Sequence, residues 1–511
     1  MKYLVTGKEM KLLDQNTSSL FHVPELVLME QAAMSFVWRL CDILKDIKEK
    51  NDAKGIVFCG LGNNGADGLA IARLLNEKGI HTEVFKINHI LQKQGATSQS
   101  YQVQERIYDA YHYPEQKDIS YILKEKYDFV IDAVFGIGLS RNLDEEYAHI
   151  IETINQVKGK KFAVDMPSGV NADNGQVMGT AVKCDWTITF SFEKLGQYLW
   201  PGCEYAGQVY VENIGITEVS WFDKKPTMAY LEEKDLMLLP KRPNHSNKGT
   251  FGKLLIVAGS FNMAGAAIFS AKAAYRTGVG IVKVLTQEEN RYLLQKSVPE
   301  AILSTYGDAF DKEQIIADIS WADAIVIGPG LGRSVMSKEL VQLIRHTASV
   351  PVVWDADGLN ILSEDTQSLM LPHTEYIMTP HLGEFSRLTK NSIQWIQDHF
   401  IESAVDFSRT YDVICVLKDF HTVTANPFGL SFLNLTGNNG MATAGSGDVL
   451  SGIIGALLAQ GLKGMKAASY GVFLHGLAGD IAREKMGTNS IMASDIIDAL
   501  KEVWRGTDYA E

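Results

Sequence analysis

The sequence predicts an α/β protein of two domains, each built on a mostly parallel sheet. Short runs rich in β-branched residues alternate with longer helical patterns, which is typical of β-α-β units. This alternation starts a second time near residue 253, after a polar stretch that lacks such runs. The chain has 511 residues, whereas a single hydrophobic core stops growing beyond about 250–300 residues. Together these observations favour two domains.

The predicted strands are the apolar runs, and helical patterns separate them. In the first half they lie at residues 55–60, 82–87, 128–136, 161–169, 187–192 and 208–216. In the second half they lie at residues 253–260, 281–286, 324–330, 351–358, 376–380 and 413–419. The C-terminal part is helical, over 449–461, about 466–485 and about 494–504. The first of these helices is apolar on most sides, which predicts that it is buried.

The boundary between the domains is predicted within residues 217–227. Residues 217–250 contain no comparable apolar strand, but they include Pro226, Pro240 and Pro243. Polar, proline-containing stretches of this kind are typical of domain boundaries. We therefore divide the chain into domains of residues 1–220 and 221–511.

Composition and charge exclude several classes of protein. Hydrophobic residues make up 46% of the chain and charged residues 21%, which excludes a disordered or fibrous protein. The formal net charge of −13, without a basic stripe, argues against a nucleic-acid partner. The five scattered cysteines form no CxxC pair, which favours reduced thiols in a cytoplasmic protein. The sequence predicts neither a signal peptide nor a membrane-spanning segment.

A glycine-rich motif, GLGNNGADG (60–68), follows the first predicted strand and opens a helix. It matches the dinucleotide pattern GxGxxG, but a tight strand-to-helix connection would explain the same glycines. Asp67 would compete with a phosphate for the amides at the start of the helix. Asn63, Asn64 and Asp67 therefore indicate a polar cradle for hydroxyls, amides or a cation.

Two acidic residues end later strands of the first half, Asp132 and Asp165. The carboxyl ends of parallel strands line the ligand crevice of an open α/β sheet, so both are candidates for proton transfer or cation binding. Each could instead cap the next helix or turn. Oxygen ligands from Asn64, Asp132 and Ser168 would suit a hard cation.

The strongest local motif of the second half is NNGMATAGSGDVLSGIIGALLAQG (438–461). Residues 445–447 form a loop at the start of a long helix, where free backbone amides and the helix dipole can stabilise phosphoryl oxygens. Asp448 is placed to take a proton from a hydroxyl that attacks phosphorus, although it could be only a helix-terminal acid. No GxxxxGK[ST] motif is present, so this is not a P-loop phosphotransferase.

Other residues of the second half follow strands but have ordinary explanations as well. The glycine-rich turns at 258–267 and 328–333 could contact a ligand or could only connect elements. His381 and Glu384 follow a predicted strand, where a crevice would lie. Lys418 could contact a phosphate, although most lysines are simply solvated.

Taken together, these motifs resemble those of the bifunctional NAD(P)H-hydrate repair enzymes over nearly the whole chain. In the first half GLGNNGADG, DAVFGIGL and VDMPSGVNADNG are similar to the epimerase motifs of that family. In the second half KGTFGKLLIVAGS, DADGLN, TPHLGE, GNNGMATAGSGDVLSG and HGLAGDIA are similar to its dehydratase motifs. The resemblance implies an N-terminal Rossmann-like parallel-sheet domain and a C-terminal ribokinase-like α/β domain.

The resemblance also implies a function. The first domain would interconvert the R and S epimers of hydrated NADH and NADPH, called NADHX and NADPHX. The second would use ADP to dehydrate the S epimer, giving NAD(P)H, AMP and phosphate. Potassium is implied for the epimerase, and Mg²⁺ is expected with the nucleotide. We further expect a cytoplasmic homo-oligomer that has no nucleic-acid or membrane partner.

Roles for single residues follow from the same resemblance. In the epimerase, Asp165 would bind substrate and assist proton transfer, and potassium would bind Asn64, Asp132 and Ser168. The other substrate contacts would be Asn63, Asn64, Gly65, Ala66, Asp67, Gly136, Ile137, Gly138, Leu139, Ser140, Arg141 and Asn142. In the dehydratase, Asp448 would be catalytic. The hydrate would contact Ala266, Gly330, His381 and Asp448, and the nucleotide would contact Lys418, Asp419, Phe420, His421, Thr422 and Gly447.

Three positions depart from the family pattern. Ala66 and Asp419 stand where glycine is usual, and Ile137 stands where threonine is usual. Ala66 requires only that the backbone φ angle be negative there. A carboxylate at Asp419 would repel a nucleotide phosphate unless it points away or binds a cation.

Three alternative functions remain open on the residues alone. A ribokinase-type small-molecule kinase fused to a dinucleotide-binding domain would use the same loop at 445–448. An NAD-dependent dehydrogenase would use the GxGxxG match, with Glu83 as the acid near the end of the second strand. A nucleotide-binding scaffold without catalysis would not require acids at so many strand ends.

Overall fold

The computed structural model describes residues 1–45, 53–91, 96–309, 311–369 and 374–508. These residues form two compact units. The first unit comprises residues 3–227, and the second comprises residues 228–511 together with residues 1 and 2. Each unit is described separately below.

The first unit is built on a parallel sheet of six strands in the order β3-β2-β4-β5-β6-β8. These strands are β2 (Lys54–Cys59), β3 (His81–Lys86), β4 (Lys126–Ala133), β5 (Lys158–Val164), β6 (Trp186–Phe190) and β8 (Gln208–Glu212). A separate short pair joins β1 (Lys2–Val5) to β7 (Glu193–Lys194) in parallel. All six strands of the parallel sheet begin within three residues of a predicted strand start. The apolar residues of the five strands other than β8 are largely buried, as in parallel sheets that helices cover.

The helices of the first unit cover this sheet with amphipathic faces. They are α1 (Gly7–Ser19), α2 (Glu25–Lys45), α3 (Asn63–Glu77), α4 (Gln99–Ala110), α5 (Ile119–Lys124), α6 (Glu145–Gln156) and α7 (Cys203–Ala206). Helix α1 begins with a capping box, in which Thr6 Oγ1 accepts from the Glu9 amide and the Glu9 carboxylate accepts from the Thr6 amide. Only Gly7, Met10, Leu13 and Thr17 are buried on this helix, so its other side carries polar residues.

The second unit is built on a mixed sheet in the order β12-β11-β10-β13-β14-β15-β16-β17-β18-β9. The strands are β9 (Met228–Tyr230), β10 (Lys253–Val257), β11 (Ile281–Gln287), β12 (Ile302–Tyr306), β13 (Ala324–Ile327), β14 (Val352–Trp354), β15 (Tyr376–Met378), β16 (Ile414–Lys418), β17 (Thr422–Ala425) and β18 (Ser431–Asn434). The strands from β12 to β16 are parallel, and β17 is antiparallel to both of its neighbours.

Helices lie between most strands of the second unit and continue to its C-terminus. They are α8 (Ala264–Thr277), α9 (Arg291–Ser297), α10 (Lys312–Trp321), α11 (Val335–Thr347), α12 (Ala356–Leu362), α13 (Leu382–Thr389), α14 (Ile393–Asp398), α15 (Phe400–Tyr411), α16 (Ser446–Ala459), α17 (Gly464–Met486) and α18 (Ala493–Asp508). Helix α16 is buried along nearly its whole length, from Val449 to Ala459, which confirms the prediction from its apolar composition. Gly452 permits close packing, because a Cβ there would lie 2.2 Å from the carbonyl oxygen of Ser270 on α8.

The prediction that residues 217–250 lack an apolar strand was wrong, and several other short strands were not predicted. Strand β9 lies within that stretch, and Met228, Ala229 and Tyr230 are all buried. Three residues are too few to produce a recognisable apolar run. Strand β12 was missed because it is mostly half-exposed, and the β17–β18 hairpin was missed because its strands are short and partly polar.

Two further expectations bear on the described part of the chain. No helix there is long and apolar enough to cross a membrane. The cysteines are free thiols, and Cys41, Cys59, Cys184 and Cys415 are buried while Cys203 is partly buried. Burial raises the pKa of Cys203 to about 11, so this thiol stays protonated near neutral pH.

The glycine-rich turn between β2 and α3 is shaped by contacts with the protein's own backbone. A Cβ on Gly60 would lie 2.0 Å from the carbonyl oxygen of Val134, and a Cβ on Gly65 would lie 1.8 Å from that of Gly60. Both glycines therefore serve close packing at the end of the sheet. Gly62 differs, because a Cβ there would meet nothing within 4 Å.

We expect Gly65→Ala to destabilise the first unit by about 1–3 kcal/mol, because the added methyl group overlaps the Gly60 carbonyl. Gly62→Ala is the matched control and should change stability by less than about 1 kcal/mol. Calorimetric thermal unfolding of both variants measures the difference. Equal stability of the two variants would contradict the assignment of Gly65 to packing.

Candidate functional site

The first unit has a cavity of about 800 Å³ at the carboxyl end of its sheet. Its walls come from α1 and α2, from the turn after β2, from the loop after β4, and from residues that follow β5 and β6. The predicted site residues in its lining are Asn63, Asn64, Asp67, Gly136, Ile137, Gly138, Leu139 and Asp165. The parallel sheet thus brings together residues from three separate sequence motifs.

Other predicted residues of the first half lie outside the lining of this cavity. Gly65 and Ala66 are buried on α3, and Gly65 packs against Gly60. Ser140, Arg141 and Asn142 are exposed. Ala66 lies inside a regular helix, where alanine is the most favourable residue, so this departure from the family pattern leaves the local fold undisturbed.

Asp165 is held in place by a buried lysine that the sequence analysis did not single out. The Asp165 Oδ1 atom lies 2.5 Å from Lys194 Nζ and accepts from Thr189 Oγ1 at 2.8 Å. Lys194 also donates to Thr189 Oγ1 and to the carbonyl oxygen of Phe190, and its side chain has 0% exposure. Asp165 has a positive φ of 65°, an unusual conformation for a residue other than glycine. The surrounding contacts therefore fix one carboxylate oxygen of Asp165.

Three more carboxyl groups line the cavity, on Asp14 of α1, Glu25 of α2 and Asp67 of α3. Burial raises the pKa of Asp14 to about 7, with the attraction of Lys194 acting against it and the repulsion of Asp165 adding to it. Burial also raises the pKa of Asp67 well above its usual value, and repulsion by Asp165 adds to that shift. The cavity therefore holds carboxyl groups that can carry a proton near neutral pH.

Asp132 and Ser168 form a tight pair beneath the loop after β4. Asp132 accepts from the Ser168 amide at 2.7 Å and from Ser168 Oγ at 2.6 Å, and Ser168 Oγ accepts from the Phe135 amide at 2.8 Å. Burial raises the pKa of Asp132 to about 6, although the Ser168 hydrogen bonds oppose this shift. A Cβ on Gly136 would lie 3.2 Å from Asn64 Oδ1, so the Asn64 side chain lies against this loop.

The Asn64 side chain has an unusual feature for a buried amide. Its Nδ2 atom is buried without a hydrogen-bond partner, which is costly unless a ligand or an ion reorders the site. Among the described residues, no three His, Cys, Asp or Glu side chains are arranged to hold a metal ion. A cation at Asn64, Asp132 and Ser168 would therefore depend on amide, hydroxyl and carbonyl oxygens as well as one carboxylate.

In the second unit, Asp448 lies in the first turn of α16. Gly445 caps this helix with φ 89°, a conformation that favours glycine. Burial raises the pKa of Asp448 to about 7; repulsion from Asp355 adds to the rise, and attraction by Lys418 opposes it. A carboxyl group with a pKa near neutrality is suited to accept a proton from a hydroxyl.

Lys418 lies beside Asp448 but is already paired with another acid. Its Nζ atom donates to Asp355 Oδ1 at 3.2 Å, and Thr379 Oγ1 donates to the same oxygen at 2.7 Å. Burial alone would lower the pKa of Lys418, but the negative charges of Asp355 and Glu384 outweigh it and raise the pKa. A Cβ on Gly447 would lie 3.5 Å from Lys418 Nζ, so this ammonium group faces the start of α16. Asp355 was part of a noted motif, yet its pairing with Lys418 was not predicted.

Two further pairs of predicted residues come together near this cluster. His381 caps α13, where its Nδ1 accepts from the Gly383 amide at 3.0 Å, and its own amide donates to Glu384 at 3.0 Å. Burial and the charge of Lys418 lower the pKa of His381, so it is neutral near pH 7. Gly330, with φ 57°, lies against Ala266, because a Cβ on Gly330 would come within 2.9 Å of the Ala266 Cβ atom.

The remaining predicted nucleotide contacts form the turn between β16 and β17. Asp419 and Phe420 are exposed, and Lys418 pairs with Thr422 across the hairpin. The Asp419 carboxyl accepts hydrogen bonds from the Phe420 amide and the Gln397 side chain. Burial lowers the pKa of His421 to about 4. The Asp419 carboxyl is therefore already hydrogen-bonded to other protein groups.

The motif at 475–482 supports the loop that precedes α16. His475 is buried, and its Nε2 atom lies 3.3 Å from Ser446 Oγ. Burial lowers the pKa of His475 to about 4, so it is neutral. Asp480 accepts from the Gly437 amide at 2.8 Å and from Asn438 Nδ2 at 3.0 Å.

Glu83, the acid that a dehydrogenase would use, is held by contacts within the sheet. Glu83 lies in the middle of β3, where Tyr127 donates to its carboxylate at 2.7 Å and Lys54 Nζ lies 3.3 Å away. A ribose-binding acid would have to lie free at the carboxyl end of that strand. The structure therefore disfavours this alternative.

Comparison with known proteins covers both units. The family described as "YjeF-related protein N-terminus" matches residues 25–196, and the family described as "NAD(P)H-hydrate dehydratase" matches residues 254–502. A bifunctional NAD(P)H-hydrate repair enzyme of Moorella thermoacetica is 34% identical, with 99% of this chain and 97% of the relative aligned. Another of Thermofilum pendens is 35% identical, with 97% and 95% aligned.

A solved structure supports the fold of the second unit. A ribokinase-like superfamily protein from Enterococcus faecalis matches with a TM-score of 0.50 and 27% identity, covering 55% of this chain and 96% of that protein. The predicted fold class is thereby confirmed, with a parallel-sheet unit followed by a ribokinase-like α/β unit. The fold and the related proteins together define an α/β enzyme of two units.

The chain belongs to the family of bifunctional NAD(P)H-hydrate repair enzymes. This confirms the resemblance inferred from the motifs.

We expect Lys194→Met to destabilise the first unit by about 3–5 kcal/mol, because it leaves the Asp165 carboxylate without its buried cation. Lys160→Met is the control, since the Lys160–Asp185 pair at 2.9 Å is half-exposed and should cost less than about 1 kcal/mol. Hydrogen exchange of the β4 and β5 amides measures the opening free energy of this unit. Similar losses in the two variants would contradict a structural role for the buried pair.

Proposed function

We propose that residues 1–220 epimerise the R and S hydrates of NADH and NADPH, and that residues 221–511 dehydrate the S hydrate. The family to which the chain belongs supports both activities. The observation that carries the proposal is Asp448 in the first turn of α16, with a pKa near 7 beside Gly447 and Lys418. This arrangement combines a proton acceptor with an anion-stabilising helix terminus.

The proposed dehydration proceeds through phosphorylation of the hydrate's hydroxyl group. Hydroxide is a poor leaving group, whereas phosphate leaves readily. Loss of a proton from the adjacent ring carbon as phosphate leaves restores the double bond of the dihydropyridine ring. Asp448 takes the hydroxyl proton as the oxygen attacks the terminal phosphorus of the nucleotide. The amides of residues 445–447 stabilise the charge on the transferred group. With ADP as co-substrate the products are NAD(P)H, AMP and phosphate.

The nucleotide would lie between the β16–β17 turn and the start of α16. Its proposed contacts are Lys418, Asp419, Phe420, His421, Thr422 and Gly447. Lys418 is paired with Asp355, so the pair as a whole adds little net charge and the backbone amides must supply most of the attraction for phosphates. Mg²⁺ bound with the nucleotide would neutralise further phosphate charge. The hydrate would contact Ala266, Gly330, His381 and Asp448.

For the epimerase, the proposed substrate site is the cavity of the first unit. Asp165 is its proton-transfer residue, since Lys194 and Thr189 hold one of its carboxylate oxygens. The proposed binding residues are the loops 63–67 and 136–142. Because epimerisation is reversible, the R hydrate can be converted to the S hydrate that the stereospecific dehydratase uses.

Potassium is proposed to bind at Asn64, Asp132 and Ser168. The residues fit such an ion, because the Asp132 carboxylate lies 2.6 Å from the Ser168 hydroxyl and Asn64 adds an amide oxygen beside the loop after β4. The ion would supply fixed positive charge near an anionic dinucleotide, in a protein whose net charge is −13. Asp132 would supply the only formal negative charge among the three ligands.

We expect potassium to raise the melting temperature of the first unit relative to lithium at equal ionic strength, because an ion that binds only the folded state stabilises it. Asp132→Asn should abolish this difference, whereas the exposed Asp223→Asn should keep it. Calorimetry measures the shift without reference to activity. The same melting temperature in both salts would contradict the proposed ion site.

We expect Asp448→Asn to lower the dehydration rate at least about 100-fold while epimerisation continues, because only the dehydratase would lose its proton acceptor. The assay incubates mixed NADHX epimers with ADP and follows the absorbance of NADH. Exposed Asp406→Asn is the control.

Loss of both activities in Asp448→Asn would contradict the division of labour. Recovery of only the S epimer by the wild-type protein would contradict the epimerase assignment. A stable phosphorylated product would instead favour a small-molecule kinase. The cytoplasmic location and the homo-oligomeric state stay predictions.

A further inference from the structure

Asp14 belongs to none of the sequence motifs, yet it lines the cavity of the first unit together with Asp67, Asp165 and Lys194. On α1 it flanks the buried side of the helix, which includes Leu13 and Thr17. Among the described residues, the Asp14 carboxyl has no hydrogen-bond partner, and only longer-range charges act on it. A partly buried carboxyl without a partner is unusual and is typical of functional sites.

The nearby lysine cannot neutralise Asp14. All three hydrogens of the Lys194 ammonium are directed to other acceptors, namely Asp165 Oδ1, Thr189 Oγ1 and the Phe190 carbonyl oxygen. Asp14 is therefore an acid that the fold leaves unpaired while it pairs the neighbouring acid, Asp165.

The charged groups around Asp14 come from several elements. Lys194 attracts its negative charge, whereas Asp165 and Glu25 repel it. Lys11, one turn earlier on α1, and Asp67 of α3 also line the cavity. Burial is the largest influence and, with the repulsion, raises the pKa of Asp14 to about 7. A large fraction of Asp14 carboxyl groups is therefore protonated near pH 7.

Asp165 is suited to the opposite role. The hydrogen bonds from Lys194, Thr189 and the Phe190 amide all reach its Oδ1 atom. Among the described residues, no hydrogen bond reaches the Asp165 Oδ2 atom, so this oxygen is available to a ligand. A carboxylate oxygen that no protein group contacts can accept a proton from a ligand, and a protonated carboxyl in the same cavity can donate one.

We propose that Asp14 is a second catalytic residue of the epimerase and transfers a proton to and from the substrate in concert with Asp165. This inference rests on the proposed epimerase function. Inversion of a carbon that bears a hydroxyl group and a ring nitrogen requires that one bond of this carbon break and re-form. Such a step needs both a proton acceptor and a proton donor.

Ring opening requires one proton to leave the hydroxyl group and another to reach the ring nitrogen. Asp165 accepts the hydroxyl proton, and the oxygen forms a carbonyl group as the carbon–nitrogen bond breaks. The electron pair of that bond passes to the ring nitrogen, which takes the proton of Asp14. The carbonyl group rotates, and the reverse transfers close the ring on its other face. Nothing is oxidised, and both carboxyl groups return to their starting states.

The test follows conversion of one pure NADHX epimer into the other by the full-length protein without nucleotide. We expect Asp14→Asn to slow this conversion at least about 100-fold. The wild-type rate should fall as the pH rises above about 7, because Asp14 loses its proton there. The residual rate of Asp14→Asn should lack that decline. Asp14→Glu should be at least tenfold faster than Asp14→Asn, because it keeps a carboxyl group.

Two controls separate this inference from the rest. ADP-dependent dehydration of the S epimer should be unchanged in Asp14→Asn, and exposed Asp223→Asn should epimerise at the wild-type rate. A wild-type protein without epimerisation would overturn the proposed function itself. If the wild type is active, equal rates in Asp14→Asn and wild type would overturn only the role of Asp14. Equal loss in Asp14→Asn and Asp14→Glu, with dehydration intact, would also overturn it.

Discussion

The carboxyl ends of parallel strands meet at one edge of a sheet, and both candidate sites depend on this constraint. In the first unit it brings Asp132 at the end of β4 close to Ser168 after β5. In the second unit it brings Asp355 after β14 to Lys418 at the end of β16. Short loops after these strands can then carry chemistry, because the sheet fixes where each loop begins.

Each candidate site contains a lysine that is paired with an aspartate. Lys194 pairs with Asp165, and Lys418 pairs with Asp355. Burying either charge alone would be costly, so the pairing makes both tolerable. Burial raises the pKa of the neighbouring acids Asp14 and Asp448, and the attraction of each lysine opposes this rise only in part. The same physical arrangement thus lies near the proposed proton-transfer group of each unit.

A protein with a net charge of −13 that binds anionic dinucleotides must attract them locally. Lys194 and Lys418 are already paired with aspartates, so much of the attraction must come from backbone amides at helix termini and from bound cations. Glycine residues matter here for two separate reasons. Gly445 adopts a positive φ that starts α16, whereas Gly65 only allows α3 to approach the end of β2.

The sequence by itself determined the α/β class, the central strands, the buried helix α16 and the motif acids Asp165 and Asp448. These features depend on local periodicity and on residues that are adjacent in the chain. It missed short edge strands such as β9, because three residues give no period. Only the tertiary structure decided that Lys194 holds Asp165 and that Asp14 lines the same cavity. The physical reason is that both features depend on burial among groups that are distant in the sequence. These surroundings set the pairing of Lys194 and the pKa of Asp14, and they leave no local sequence pattern.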